Sequence, residues 1–253
     1  MRTLILQSVV AALYLVYGAA ALAAARRMGS AWQSNRLAWY LTGWTFTLFA
    51  LCSAVQHAFS FPAYFGGPGS YVYVQYLRWA PVANHSRTFL VLGYCAGVAV
   101  LIARRRTANN GLRPFLIASL LVMSVLGALY GWHEGSLREQ YHFSAVAVLD
   151  AVELVILLSC LFAALVTEAV DRLLWYALGT YTFNVALNII WMIALAGWGV
   201  GWTPAPWQMQ AYRTVLGAVA AGLAVRRYVL ARRGVFVPGL IGDGPRRPAL
   251  LTG

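Results

Sequence analysis

Apolar residues gather into seven runs along the 253-residue chain, at 3–25, 37–60, 74–103, 114–132, 143–167, 173–198 and 207–231. Short stretches rich in arginine, glycine or proline separate them. Each run is near or above the ~20 residues an α-helix needs to cross a bilayer at ~1.5 Å per residue. The pattern therefore predicts an all-α membrane protein, a bundle of seven transmembrane helices numbered α1 to α7 in chain order.

The polar positions between the runs orient the bundle. Arg26, Arg27 and Arg36 follow α1, Arg104, Arg105, Arg106 and Arg113 follow α3, Arg172 precedes α6, and Arg226, Arg227, Arg232, Arg233, Arg246 and Arg247 lie at or beyond the end of α7. The opposite side holds only Arg2 and Arg138. The positive-inside rule then puts the N-terminus outside and the C-terminus in the cytoplasm. Residues 1–233 form the transmembrane domain, and 234–253, rich in Pro and Gly, read as a loosely ordered cytoplasmic tail. The first run is longer than a cleaved signal's apolar region and is followed by Arg26 and Arg27, so it is read as a retained helix.

Composition agrees: 61% of residues are hydrophobic, 10% are charged, and mean hydropathy is +0.67. These values exclude an ordinary soluble domain. The net charge of +12 sits at cytoplasmic helix ends, where anionic lipid headgroups are the expected counterions, so the partner is a lipid bilayer and not nucleic acid. A multi-pass protein of a bacterial inner (cell) membrane is expected. Cys52, Cys95 and Cys160 all fall inside apolar runs and read as small buried hydrophobes, with no metal site. No nucleotide-binding, zinc-protease or hydrolase motif occurs, which argues against an enzyme.

Between α2 and α3, residues 61–73 combine Gly and Pro with alternating aromatics and predict a short hairpin. Trp198, Trp202 and Trp207 suit the interfacial belt, and Pro204 and Pro206 end α6 and start α7.

Ionisable groups at membrane depth cost on the order of 3 kcal/mol each and need partners or a function. Asp150 and Glu153, at i,i+3 on α5, share one helical face. Candidate partners are Arg78, His85 and Arg87 on α3, Arg213 on α7 and His57 on α2, with Arg87 or Arg213, or a neighbouring subunit's arginine, the expected counter-charge. Together these seven residues form an expected intramembrane polar cluster. It is open to three readings: structural pairs fixing helix register, a proton or ligand pathway, or separate side chains snorkelling to the surface. Asn184 and Asn188, one turn apart on α6, predict an interhelical hydrogen-bond seam. His57, His85, His133 and His142 lie on separate segments without the spacing of a haem site, so haem has no support.

Several patches lie in an order that resembles the microbial rhodopsin family. Tyr76-Leu77-Arg78-Trp79-Ala80 looks like that family's start of helix C, Ser124-Val125-Leu126-Gly127-Ala128-Leu129 like its helix D, and Trp191 sits where its helix F offers an aromatic to the chromophore. The resemblance implies a rhodopsin-like seven-helix fold with an outward N-terminus. It also implies a retinal-binding lysine near Ala221, yet all 19 Lys+Arg residues are arginine, and a guanidinium cannot serve as the Schiff-base amine. The family's helix-C carboxylate falls at Pro81, and its helix-G aspartate at Gly217. A lysine-less opsin homologue follows, with Trp191 and Ala221 as a vestigial retinal pocket, no covalent cofactor, and room only for noncovalent retinal or carotenoid. The expected function is association, as a homo-oligomer or as a hetero-oligomeric partner of a retinal-binding rhodopsin, through small-residue surfaces at Gly18–Ala21 on α1 or at Gly217, Ala218, Ala221 and Gly222 on α7. The alternative is a sensor or transporter for a proton, ion or small ligand using the carboxylate cluster. A haem- or quinone-linked enzyme ranks last.

Overall fold

The computed structural model describes residues 1–29, 33–67, 69–103, 111–136, 143–166, 171–195 and 205–235. Arg104, Arg105, Arg106, Arg138, His142, Trp198, Trp202, Pro204 and the tail beyond Val235 lie outside the described residues. Among the described residues there are seven helices and no strands: α1 Arg2–Arg27, α2 Gln33–Gly66, α3 Tyr71–Ala103, α4 Leu112–Ser136, α5 Phe143–Val166, α6 Arg172–Leu195 and α7 Pro206–Arg232. Six are long and apolar enough to cross a membrane, namely α1, α2, α3, α4, α6 and α7. The chain is thus a multi-pass, all-helical membrane protein, with the 24-residue α5 completing the bundle.

The hairpin expected at 61–73 does not form. Residues up to Gly66 continue α2, straight through Pro62, and Tyr71 already belongs to α3. The turn is confined to 67–70, where Gly67 and Gly69 adopt φ of 70° and 88°, a region that strains any residue with a Cβ. Ser70 Oγ then accepts the Tyr73 N–H at 3.2 Å and caps α3. At a membrane boundary a helix satisfies its backbone groups within one segment, which a two-stranded hairpin with open edges cannot do. At the other end of the chain, α7 starts at Pro206, and Gln208 Oε1 accepts the Ala205 N–H at 2.8 Å.

The helices close into a ring. α1 packs between α2 and α7, α2 against α3, α3 against α5, α5 against α6, and α6 against α7, while α4 lies along α3 with α2 to its side. Glycines set the two tightest contacts. A Cβ on Gly18 would collide with the backbone of Gly43 and Thr47, and one on Gly127 or Gly131 would collide with the carbonyls of His85 or Pro81. Such close backbone approach is how helices gain van der Waals contact in lipid, where burial of apolar surface offers no driving force between them. Gly18 is therefore occupied by the α1–α2 contact, and Ala21 is buried within the bundle. On α7, Ala221 is buried in the core and Gly217 faces Leu13 of α1, whereas a Cβ on Gly222 would meet open space.

Three layers stack along the bundle. The end carrying the N-terminus holds a polar cavity. The middle is an aromatic layer in which Phe46 packs within 6 Å of Tyr14, Tyr17, Tyr94 and Tyr181, and Thr42 hydrogen-bonds the Tyr94 hydroxyl at 3.0 Å. The opposite end is locked by an ion pair between α6 and α7.

Candidate functional site

The cavity has a volume of about 290 Å³ and takes lining residues from every helix except α4. Because successive helices run in opposite directions, the first half of α1, α3, α5 and α7 meets the second half of α2 and α6. Polar residues placed there by sequence therefore converge from distant parts of the chain. Gln7 and Tyr14 come from α1, Ser53, Gln56 and His57 from α2, Asn84 and Arg87 from α3, Asp150 and Glu153 from α5, Asn184, Asn188 and Trp191 from α6, and Gln210 and Arg213 from α7.

Asp150 and Glu153 occupy one wall, both buried. Asp150 Oδ2 accepts a hydrogen bond from Asn188 Nδ2, and Asn188 Oδ1 accepts one from Arg213. One amide thus joins a carboxylate and a guanidinium that belong to α5 and α7. Glu153 Oε1 accepts the Tyr181 hydroxyl at 2.9 Å. On α3, Arg87 donates to Ser53 Oγ at 3.1 Å and to Asn84 Oδ1 at 2.6 Å, with its guanidinium 5.5 Å from the centre of the Phe49 ring. Neutral hydrogen-bond partners of this kind let a charge remain at membrane depth.

Of the seven residues expected to cluster, Asp150, Glu153, Arg87, Arg213 and His57 line one cavity. Arg78 and His85 do not. Arg78 is exposed and lies over the Trp132 indole at 4.3 Å, while His85 is buried between α3 and α4 with its ring edge-on to Tyr130 at 4.8 Å. His85 follows Asn84 by one residue and so points ~100° around α3 from the cavity face, and Arg78 stands nearly two turns before Asn84. The expected seam is built by Asn188; the buried amide oxygen of Asn184 has no partner. Trp191 lines the cavity, but Ala221 does not: two turns beyond Arg213 on α7, it packs in the apolar core. The three cysteines carry free thiols, Cys95 and Cys160 buried and Cys52 half-buried. Among the described residues no group of three or more His, Cys, Asp and Glu side chains is placed to hold a metal ion.

Nothing in the apolar pattern singles out Ser53, Asn84 or Tyr181, since a lone polar or tyrosine residue in an apolar run is ordinary packing. Asp171 is different. Standing immediately before an apolar run, it has the signature of a helix N-cap, and its Oδ1 accepts the Leu173 N–H at 3.0 Å. Its Oδ2 also accepts the Trp39 indole N–H at 2.9 Å and lies 3.0 Å from Arg227 Nε, and its backbone N–H donates to Asn35 Oδ1 at 2.8 Å. Burial pushes the Asp171 carboxyl above the ordinary carboxylate range, against the pull of Arg227, Trp39 and the Leu173 amide. Arg227 is 2% exposed and also donates to the Val235 carbonyl at 3.0 Å. It therefore pairs with a carboxylate inside the bundle, whereas Arg226, Arg232 and Arg233 are exposed.

The cavity can do two things chemically. It presents acceptors and donors of both charge signs around a space large enough for a small organic molecule, and it links ionisable groups through hydrogen bonds. No protein family model matches this chain, nor does any curated protein or solved structure.

Proposed function

We propose that this protein binds a small, polar, charge-bearing molecule in a pocket within the membrane and acts as a sensor or transporter for it. The observation that carries the reading is the cavity of about 290 Å³ in which Asp150, Glu153, Arg87 and Arg213 meet. Four ionisable side chains at membrane depth are costly unless they are paired or used. A space of this size sits at the lower end of small-molecule pockets, which span ~300–1,000 Å³.

Seven spans with an outward N-terminus belong to the same proposal. Arginine asymmetry supports that orientation, which puts the pocket in the outer half of the bundle and the Asp171–Arg227 pair at the cytoplasmic end. The likeness to microbial rhodopsins enters as a lysine-less bundle of similar plan: the cavity reaches Trp191 but not Ala221, so a polar ligand suits it better than a polyene. For association, Gly18 is taken up by α2, while Ala19 on α1 and Ala218 and Gly222 on α7 are exposed and are the small residues through which a second subunit would pack.

The test is a thermal-shift screen of the purified protein in nanodiscs against polar metabolites. At least one charged compound should raise Tm by several degrees. Ala11→Phe, which fills the pocket while leaving every charged residue in place, should remove that shift. A response that survives Ala11→Phe would place binding elsewhere, and the absence of any response to polar compounds would contradict the proposal.

A further inference from the structure

We infer that the pocket takes a small amino acid, with its ammonium against the α5–α6 wall and its carboxylate against the α2–α3 wall. This rests on the ligand-binding reading above and narrows it to one chemical class.

The two walls differ in what they offer. Asp150 of α5 and Arg213 of α7 are already joined through Asn188 of α6, whereas Glu153 on α5 is held by the Tyr181 hydroxyl of α6 at one oxygen only. Glu153 is 3% exposed and lines the cavity. One turn from Tyr181, the buried amide oxygen of Asn184 has no partner. A buried acceptor without a donor costs on the order of 1–3 kcal/mol, and a ligand that brings N–H groups removes that cost. A carboxylate and a bare amide oxygen lining the same cavity make a site for an ammonium with hydrogens to donate.

The α2–α3 wall has the opposite character. Arg87 is fixed in direction by Ser53 and Asn84 and lines the cavity, so its guanidinium puts a permanent positive charge on that wall. Beside it on the cavity lining, His57 has a buried Nδ1 without a partner. Protonated at both nitrogens, that imidazole adds a second donor for a carboxylate. Val10, Ala11 and Val185 supply apolar lining for a side chain. A dianion would face Glu153, and a dication would face Arg87, so a molecule with one charge of each sign fits where those two do not.

The experiment measures thermal shifts of the full chain in nanodiscs with the common L-amino acids. The best of them is then compared with its carboxamide, which lacks the carboxylate, and its 2-hydroxy acid, which lacks the ammonium. The zwitterion should bind at least roughly tenfold more tightly than either analogue. Glu153→Gln should abolish the preference over the hydroxy acid while keeping the preference over the amide, and Arg87→Gln should do the reverse. Each variant is scored as a shift from its own unliganded Tm, and if a variant does not fold, the three wild-type affinities decide. An analogue that binds as tightly as the amino acid overturns the inference. Silence to amino acids with a response to other polar compounds also overturns it, while leaving the pocket's ligand-binding role standing. Silence to every polar compound removes both.

Discussion

Asn188 places a neutral amide between two buried charges, and that arrangement explains how Asp150 and Arg213 coexist at membrane depth without direct contact. Its carboxamide donates to Asp150 and accepts from Arg213, so each charge sees a dipole oriented to favour it. Leucine at 188 has similar bulk but neither function. Asn188→Leu should cost ~3–5 kcal/mol, as expected for a buried pair left uncompensated. The triple change to Asp150→Asn, Arg213→Met and Asn188→Leu should recover most of it, because apolar and neutral replacements carry no charge to compensate. Thermal unfolding in detergent measures both, and a loss of less than ~1 kcal/mol from Asn188→Leu would mean that the bridge contributes little. The carboxylates at this site were legible in the sequence, because i,i+3 spacing alone puts Asp150 and Glu153 on one face. The mediator was not. Which amide stands between two charges depends on the rotation of α6 against α7, and a hydrophobic pattern does not encode that rotation to within one residue.

At the scale of elements, the pair of α6 and α7 is held by Asp171, which serves as helix cap and as counter-charge. Asp171→Ala removes the N-cap, worth ~1 kcal/mol, and leaves Arg227 buried beside the Trp39 indole without its carboxylate. A total loss of ~4–6 kcal/mol is expected from the cap and the broken pair together. Adding Arg227→Leu should return several kcal/mol of that loss, with exchange of the Leu173 amide staying fast because the cap is still missing. Equal stability of the single and double variants would contradict a buried pair. Helix number and approximate bounds followed from run length, since a bilayer demands it. The extension of α2 through Pro62 did not, because Gly, Pro and aromatic clustering is shared by hairpins and by helix ends at an interface. Counting arginines by segment likewise grouped Arg227 with its neighbours. Only the helical phase of α7, which turns Arg227 inward towards Asp171 and leaves Arg226 and Arg232 outside, separates them.

Across the whole molecule the three layers act as one device. A polar cavity in the half of the bundle that holds the N-terminus, an aromatic layer around Phe46 and an ion pair at the far end would let a ligand enter from one side only, if the cavity opens at the N-terminal end. Access of water to the cavity is what the proposed function needs first, and cysteine labelling reads it. In a chain with Cys52, Cys95 and Cys160 replaced by alanine, Thr88→Cys places a thiol on the cavity wall, and Val155→Cys places one on the exposed outer face of α5, towards lipid. Both proteins are reconstituted in nanodiscs and treated with a charged, membrane-impermeant thiosulfonate, which reacts with thiolates in water. The Thr88→Cys protein should be labelled and the Val155→Cys protein should not. Thr88→Cys as unreactive as Val155→Cys would contradict a water-accessible pocket within the membrane.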